Sequence, residues 1–414
     1  MGDVVLEQLQ AATDGHARTA LETDAVDSLP AQWVASPGSA REVQAVMRVT
    51  AANDLAVVAR GWGTKLSWGT PPRRLDLILD MTRMHDVVEH VAGDLIVVVG
   101  AGCRLSDLQT QLCASTQWLA VDPPRNGTIG GMVATAVTGP TRLLHGPVRD
   151  LVIGMRMVRA DGVAAHSGGK VVKNVAGYDV GKLLTGSYGT LGIITEVAFR
   201  LHPLPVARSW VSAPVASTAG IHALVQALNY SQLVPTAVEL DLPASGEGTL
   251  TVLLEGIPPG VAARTAAAVE LLGPQASASD QPPQWWGAEP FESDGVAVKL
   301  THEIAGLPHL LTALDAACAA TGLSAHLRGS VAVGVVLVGL VGAPQAREVV
   351  RFVATLRERS AAFGGTVVVL DADPEVKASL DPWGPVGALQ LMRSVKAQFD
   401  PERRLAPGRF VGGI

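Results

Sequence analysis

Gly186-Ser187-Tyr188-Gly189-Thr190-Leu191-Gly192-Ile193-Ile194-Thr195-Glu196, preceded by Gly168-Gly169-Lys170-Val171-Val172-Lys173-Asn174-Val175-Ala176-Gly177-Tyr178-Asp179, decides how this chain is read. Gly186, Gly189 and Gly192 recur every third residue, which lets backbone approach a ligand where a Cβ would collide, and Ser187 and Thr190 set small hydroxyls between them. The apolar run Ile193, Ile194, Val197 reads as a strand that holds this loop rigid. The pattern is that of a cofactor cradle.

Two further glycine-rich stretches precede it: Arg60-Gly61-Trp62-Gly63-Thr64-Lys65-Leu66-Ser67-Trp68-Gly69 and Pro123-Pro124-Arg125-Asn126-Gly127-Thr128-Ile129-Gly130-Gly131-Met132-Val133-Ala134-Thr135. A dinucleotide cofactor brings two phosphate charges, and consecutive N–H groups of a glycine-rich turn can receive them without a large buried cation. The short apolar strand Leu55–Ala59 running into Gly61 and Gly63 is superficially like a Rossmann turn. Leu66 stands where the third glycine of that motif belongs, however, and no helical periodicity follows.

In this order, the three loops resemble the FAD-binding domain of the vanillyl-alcohol oxidase type, also called the p-cresol methylhydroxylase (PCMH) type, and within it the glycolate oxidase branch. The resemblance is strongest over residues 30–205, fair over 380–414 and weak between them. It implies an α+β fold: a two-subdomain PCMH-type FAD-binding domain followed by a smaller α+β FAD-linked oxidase C-terminal domain, with FAD lying between the subdomains. The boundaries it implies are residues 1–27 as an N-terminal extension, 28–205 as the FAD-binding domain and 206–414 as a cap domain with a family-like tail.

Carried over position by position, the resemblance implies that FAD is held by Arg60, Gly61, Trp62, Gly63, Thr64, Lys65 and Leu66 in the first loop. The second loop contributes Pro123, Gly127, Thr128, Ile129, Gly130, Gly131, Ala134 and Thr135. The third region contributes Lys173, Asn174, Tyr178, Gly186, Ser187, Gly189, Thr190, Gly192, Ile193 and Ile194. No histidine stands in the first loop to take a covalent flavin link, so non-covalent FAD is expected. The tail Leu405-Ala406-Pro407-Gly408-Arg409 carries Ala406 where the family has an amide side chain.

Composition bounds the rest. The chain has 414 residues, 48% hydrophobic and 17% charged, with a net charge of −6. That length suggests more than one structural unit, since single cores stop growing near ~250–300 residues. Without a basic excess, nucleic acid is not an expected partner. The N-terminus has no basic start followed by an apolar core, and the apolar run Val331–Val341 is too short for the roughly 20 residues that span a bilayer, so a cytoplasmic protein without a transmembrane segment is expected. Cys103, Cys113 and Cys318 form no Cys-x-x-Cys pair and are expected as small core residues.

Element by element, Ser39 is expected to cap a helix over 40–52 with Val43, Val46, Met47 and Thr50 on one face. Strands are expected at 75–80, 95–99 and 151–158, the last entering a primed hairpin turn at Asp161-Gly162, and a helix at 105–119. The second half alternates Ala-rich helices, 261–272 and 307–321, with strands at 249–254 and 333–340, and has an exposed loop at 273–283.

Chemistry beyond the flavin is less legible. Relatives that oxidise D-2-hydroxy acids carry a His-rich metal site in the second domain; here His326-Leu327-Arg328-Gly329-Ser330 keeps a single histidine, expected to be a hydrogen-bonded core residue, and no metal is expected. FAD loops kept and a metal region lost imply an FAD-binding subunit of a glycolate or 2-hydroxyacid oxidase complex. Its implied partners are a homologous larger flavoprotein subunit that carries substrate oxidation and an iron–sulfur subunit, with this chain's flavin taking part in electron transfer between them, and through them it would attach peripherally to the inner face of a membrane. Two alternatives stay open: a stand-alone D-2-hydroxyacid (lactate or glycolate) dehydrogenase, with Arg142, Arg149, Lys173 and Arg328 as carboxylate ligands, and a non-catalytic scaffold with structural or absent FAD. Neither residues nor resemblance assign a catalytic residue.

Overall fold

The computed structural model describes residues 2–170, 179–292 and 295–414. Lys173, Asn174 and Tyr178 lie outside the described residues. In the first subdomain, four strands pair in the order Ala17–Thr19, Trp33–Ala35, Leu77–Asp80, Val57–Arg60. Trp33–Ala35 and Val57–Arg60 both run parallel to Leu77–Asp80, and the helix Ala40–Ala52 makes the connection between them. Ser39 caps that helix by accepting the Glu42 N–H at 3.2 Å, and Val43, Val46, Met47 and Thr50 are its buried face. No helix opens after Val57–Arg60. The chain leaves the strand as an irregular loop, which separates this fold from a Rossmann turn.

Residues 1–27 were expected as an extension, but they are part of this subdomain. Val5 and Leu9 of the helix Gly2–Ala12 are buried against the helix 40–52 layer, and Ala17–Thr19 is an edge strand of the sheet.

The second subdomain is a five-stranded antiparallel sheet, in the order Ala164–Gly168, Val152–Val158, Ile193–Arg200, Ile96–Gly100, Val87–Val91. Two local expectations give way here. The helix from Leu105 stops at Cys113, where the chain turns through Thr116 (φ 54°) into the strand Gln117–Trp118. The 158–164 hairpin closes by a Gly162 N–H to Arg159 carbonyl bond of 3.0 Å with Gly162 at φ 80° and Asp161 at ordinary φ. This is a regular turn followed by one left-handed glycine, not a primed two-residue turn. Cys103 is buried, but Cys113 is exposed at the helix end and Cys318 is half-buried.

From Ala207 an eight-stranded antiparallel sheet begins, in the order Ser277–Ser279, Ala207–Val215, Gly248–Gly256, Ala237–Leu242, Ala325–Ser330, Val335–Leu340, Ala297–Thr301, Thr366–Asp371. Strand alternation sorts its residues to two faces. Val238, Leu240, Val252, Val298, Leu300, Val336, Val338, Val367 and Val369 pack under the helices Thr218–Asn229, Pro258–Leu272, Leu307–Thr321 and Ala346–Ala361. The stretch Ile304–Thr321 is long and apolar enough to cross a membrane, yet Leu307, Leu310, Leu311 and Leu314 sit in this core. The exposed 273–283 segment supplies the edge strand Ser277–Ser279. The opposite face of the sheet turns toward the FAD-binding half.

The tail does not stay with the cap as the 206–414 boundary implied. Leu405 bridges Val57, and Leu405 and Ala406 are buried in the first subdomain. Lys396, on the helix Leu389–Phe399, anchors this return: its ammonium donates to Asp400 (2.7 Å), the Thr190 carbonyl (2.7 Å) and the Leu405 carbonyl (2.9 Å). Removing one partner of a buried ion pair strands the other charge. Lys396→Met is therefore expected to lower unfolding stability by about 3 kcal/mol in urea titration; a loss below about 1 kcal/mol would contradict the anchoring role.

Candidate active site

A cleft runs between the two subdomains. Its walls include Arg60, Gly61, Trp62, Gly63, Thr64, Lys65 and Leu66 from the first loop, Thr128, Gly130, Gly131, Ala134 and Thr135 from the second, and Gly189, Gly192 and Ile194 from the third. The geometry needs small residues where loops touch: a Cβ on Gly61 would fall 2.2 Å from Thr128 Oγ1, and one on Gly130 would fall 2.9 Å from the Ala101 methyl. Gly63 (φ 71°) and Gly189 (φ 73°) are left-handed, with no neighbour where a Cβ would sit.

The remaining predicted residues support these walls. Ile129 and Ile193 are buried beneath the loops, Gly127 packs on Thr64 and Lys65, and Thr190 Oγ1 bonds the Ser187 carbonyl at 2.7 Å. Gly186 lines an adjoining cavity, and Pro123 lines neither space. The buried Ser187 hydroxyl has no hydrogen-bond partner among the described residues.

Donor accounting distinguishes the loops. The N–H groups of Trp62, Gly63, Thr64 and Lys65 donate to no protein acceptor among the described residues. In the second loop the donors divide: Ile129 N–H goes to Cys103, Gly130 N–H to Ala101 and Gly131 N–H to Thr128 Oγ1, while those of Gly127 and Thr128 donate to no protein acceptor among the described residues. The first loop thus offers a run of donors, Trp62 to Lys65, to an anion.

Side chains in the first loop differ in role. Arg60 is committed to the fold, bonding Asp24 Oδ1 at 2.9 Å and Asp80 Oδ2 at 2.8 Å. Trp62 is exposed at the mouth of the cleft, with the Arg104 guanidinium 3.3 Å above its ring, so its bulk does not fill the cleft. Lys65 is buried without a carboxylate in contact. Burial pulls its ammonium down to about 8, with Arg125 adding to the effect and Glu289 opposing it.

Arg409 from the tail, absent from the sequence-based set, also lines the cleft and donates from Nη2 to the carbonyls of Leu66 and Trp68 (2.7 Å). Tyr188, Met81, Ala59 and Ala101 complete the walls.

Beyond Thr135 and Tyr188, the cleft meets a second cavity roofed by the open face of the cap sheet. Strand register places Glu239, Ser330, Val335, Thr301 and Thr366 in one cross-strand row, and Asp241, Arg328, Leu337, Lys299 and Val368 in the next. Arg142 and Gly139 close the cavity from the FAD-binding half.

The three cations here are not equivalent. Arg328 is saturated, through Asp241 Oδ1 at 2.7 Å and the carbonyls of Ala288 (3.1 Å) and Glu289 (3.2 Å). His326 shares the same carboxylate at 2.6 Å, so it is the hydrogen-bonded residue that the sequence suggested. Arg142 and Lys299 have no ion-pair or hydrogen-bond partner for their side-chain nitrogens among the described residues. Burial lowers both: Arg142 is offset by Glu239 and Asp122, and Lys299 falls to about 8 with Arg142 contributing. Arg149, the other cation proposed in this stretch, is exposed on the helix Val148–Leu151 and lines neither space.

Residues 31–168 match the family described as the FAD binding domain. This chain carries an FAD-binding domain. It aligns at 36% identity over 152 residues with glycolate oxidase subunit GlcE of Escherichia coli, covering 36% of this chain and 43% of that one. With glycolate oxidase subunit GlcD of Bacillus subtilis the identity is 31% over 213 residues, covering 51% and 45%. With a D-lactate dehydrogenase of Archaeoglobus fulgidus it is 36% over 174 residues, covering 41% and 38%. The chain thus spans less than half the length of these curated relatives. A solved structure of alkyldihydroxyacetonephosphate synthase superimposes with a TM-score of 0.69, covering 92% of this chain and 77% of that one at 18% identity, which establishes the PCMH-type fold.

The residues fit this cofactor: four free N–H donors and the Lys65 ammonium suit a pyrophosphate, and the glycine-lined walls admit a planar ring. Only protonated Lys65 can pair with a phosphate, so FAD affinity should weaken as pH rises through about 8. Lys65→Met should raise the FAD dissociation constant about tenfold near neutral pH and flatten that dependence. Fluorescence titration of the apoprotein with FAD checks both, and a wild-type affinity that does not change across this range would contradict the pairing.

Proposed function

We propose that the chain is an FAD-dependent oxidoreductase of 2-hydroxy acids of the glycolate and D-lactate class, working as a subunit of a glycolate oxidase-type complex. Arg142 and Lys299 carry this reading: two half-buried cations without protein partners among the described residues, in a cavity that opens onto the flavin cleft. Unpaired buried charge is costly, and a substrate carboxylate is the anion that would compensate it. Arg328, already sealed by Asp241, would shape the wall instead.

Bound FAD would supply a two-electron acceptor, held by the first-loop N–H groups, Lys65 and the glycine walls. In this reading Arg142 and Lys299 bind and orient the acid, and the apolar side chains Val335 and Leu337 of the roof exclude water from the reacting carbon. The relatives named as glycolate oxidase subunits support work as one part of a complex; in this reading its partners are a larger flavoprotein and an iron–sulfur subunit, and the complex is cytoplasmic and attached peripherally to the membrane.

An accessory role is the second reading, favoured by the alignment with GlcE, itself named as a subunit. There the flavin would exchange electrons with a partner that oxidises the acid. Anaerobic addition of glycolate or D-lactate to the FAD-loaded chain separates the two. Bleaching of the oxidised flavin band by the chain alone is expected, and Arg142→Met should raise the half-saturating acid concentration at least about tenfold. Bleaching only after partner subunits are added would overturn the first reading in favour of the second.

A further inference from the structure

Glu239 stands on the wall of the same cavity and has no role in binding an anion. It is 5% exposed and lies in the middle of the strand Ala237–Leu242, between Thr251 and Ser330 on the neighbouring strands. Ser330 Oγ donates to its Oε1; Oε2 accepts no hydrogen bond among the described residues, and Glu239 belongs to the cavity lining. Of the two arginines whose charge acts on it, Arg328 is spent on Asp241, and Arg142 makes no ion pair or hydrogen bond with it. An unpaired acid at this depth is unfavourable for folding alone, and the purely structural solution for this row would be an apolar or hydroxyl side chain.

We infer that Glu239, oriented by Ser330, is the group that takes the hydroxyl proton when a 2-hydroxy acid is oxidised in this cavity. The inference rests on the substrate reading above and adds the residue that reading lacks, a proton acceptor. The balance is complete: the O–H bond breaks and its proton goes to Glu239 Oε2, while the Cα–H bond leaves as a hydride to oxidised FAD. The Cα–O bond becomes the carbonyl of the 2-oxo acid, and the proton later leaves to solvent.

The surroundings suit this role. Burial pushes the Glu239 carboxyl up to about 8, with the Ser330 bond opposing, Asp122 reinforcing, and Arg142 and Arg328 opposing. A carboxylate that holds protons this well is a stronger base than an exposed glutamate. Charged groups approach from several elements, with Lys299 and Glu289 on the same cavity wall. Arg142 comes from the short helix Arg142–His145, Asp122 from the loop bonded to Thr141, and Arg328 and His326 from the adjacent strand. Thr251 on the other side and the turn Val331–Val333 bring no charge, and His145 faces Trp118 and His202 instead.

The test uses the FAD-loaded full chain and oxalate, a planar dicarboxylate probe. Calorimetric titration in two buffers of different ionisation enthalpy counts the protons taken up on binding. An anion placed beside Glu239 favours its protonated form, so the wild-type uptake minus that of Glu239→Gln should grow from near zero at about pH 6 toward about one proton at about pH 9. Lys299 titrates in both proteins and cancels in the difference.

Flavin reduction by glycolate should fall by at least about 100-fold in Glu239→Gln while oxalate affinity changes by less than about threefold at the lower pH. Removing an unpaired buried acid should leave the melting temperature equal or higher, which excludes misfolding as the cause. Equal proton uptake in the two proteins, or unimpaired reduction in the variant, overturns the role of Glu239 and leaves the cation pair standing. Absence of oxalate binding that Arg142→Met weakens overturns the substrate reading, and the inference with it.

Discussion

The site depends on one close approach. Gly61 lies against Thr128 so tightly that no side chain fits between them, and this contact fixes the distance between the first and second loops, hence the width of the cleft. Thr128 also caps the helix Ile129–Thr135 by accepting the Gly131 N–H, so it braces the second loop from within while it touches the first. Because Ile129, Gly130 and Gly131 spend their N–H groups on Cys103, Ala101 and Thr128, this end of the second loop is a rigid wall, while Trp62 through Lys65 keep theirs for a ligand.

The cap and the tail then lock the outer half of the first loop. Arg125 joins the Thr64 carbonyl to Glu289 of the cap, Lys377 joins Asp27 and Asp371 to the Ser67 carbonyl, and Arg409 holds the Leu66 and Trp68 carbonyls. These charges come from distant parts of the chain and meet on the backbone between Thr64 and Trp68. Their positions seat the cap sheet over the flavin cleft, with its charged row facing inward and its apolar row under the helices. Function follows from this: cations paired within the wall are structural, and cations left unpaired in the cavity are available to a ligand.

Much of this was legible in the sequence because it is local. Ser39 and its helix, the strand-to-loop transition at Arg60 and the glycine loops express short-range rules of capping, periodicity and backbone freedom. The cap cavity was not, because its residues become neighbours only through strand register: Glu239 and Lys299 are three strands apart in the sheet and 60 positions apart in the chain. A signal was nevertheless present. An acid in Ala237-Val238-Glu239-Leu240-Asp241 and a lysine in Ala297-Val298-Lys299-Leu300-Thr301 interrupt apolar strands at alternating positions, which marks one face as something other than core. Arg142 and Arg149 are equivalent carboxylate-ligand candidates in the sequence, and only the fold separates the one in the cavity from the one on the surface. The tail, assigned by position to the cap, belongs to the first subdomain because Leu405 pairs with Val57, a contact no local pattern announces.

The central claim is that flavin cleft and cationic cavity form one continuous site. A crystal structure of the FAD-loaded chain tests it most directly. The account predicts pyrophosphate density against the N–H groups of Trp62 to Lys65, with the isoalloxazine ring reaching Thr135 and Tyr188 and one edge open toward Arg142 and Lys299. A ring turned away from that cavity, or a pyrophosphate seated elsewhere, would contradict it.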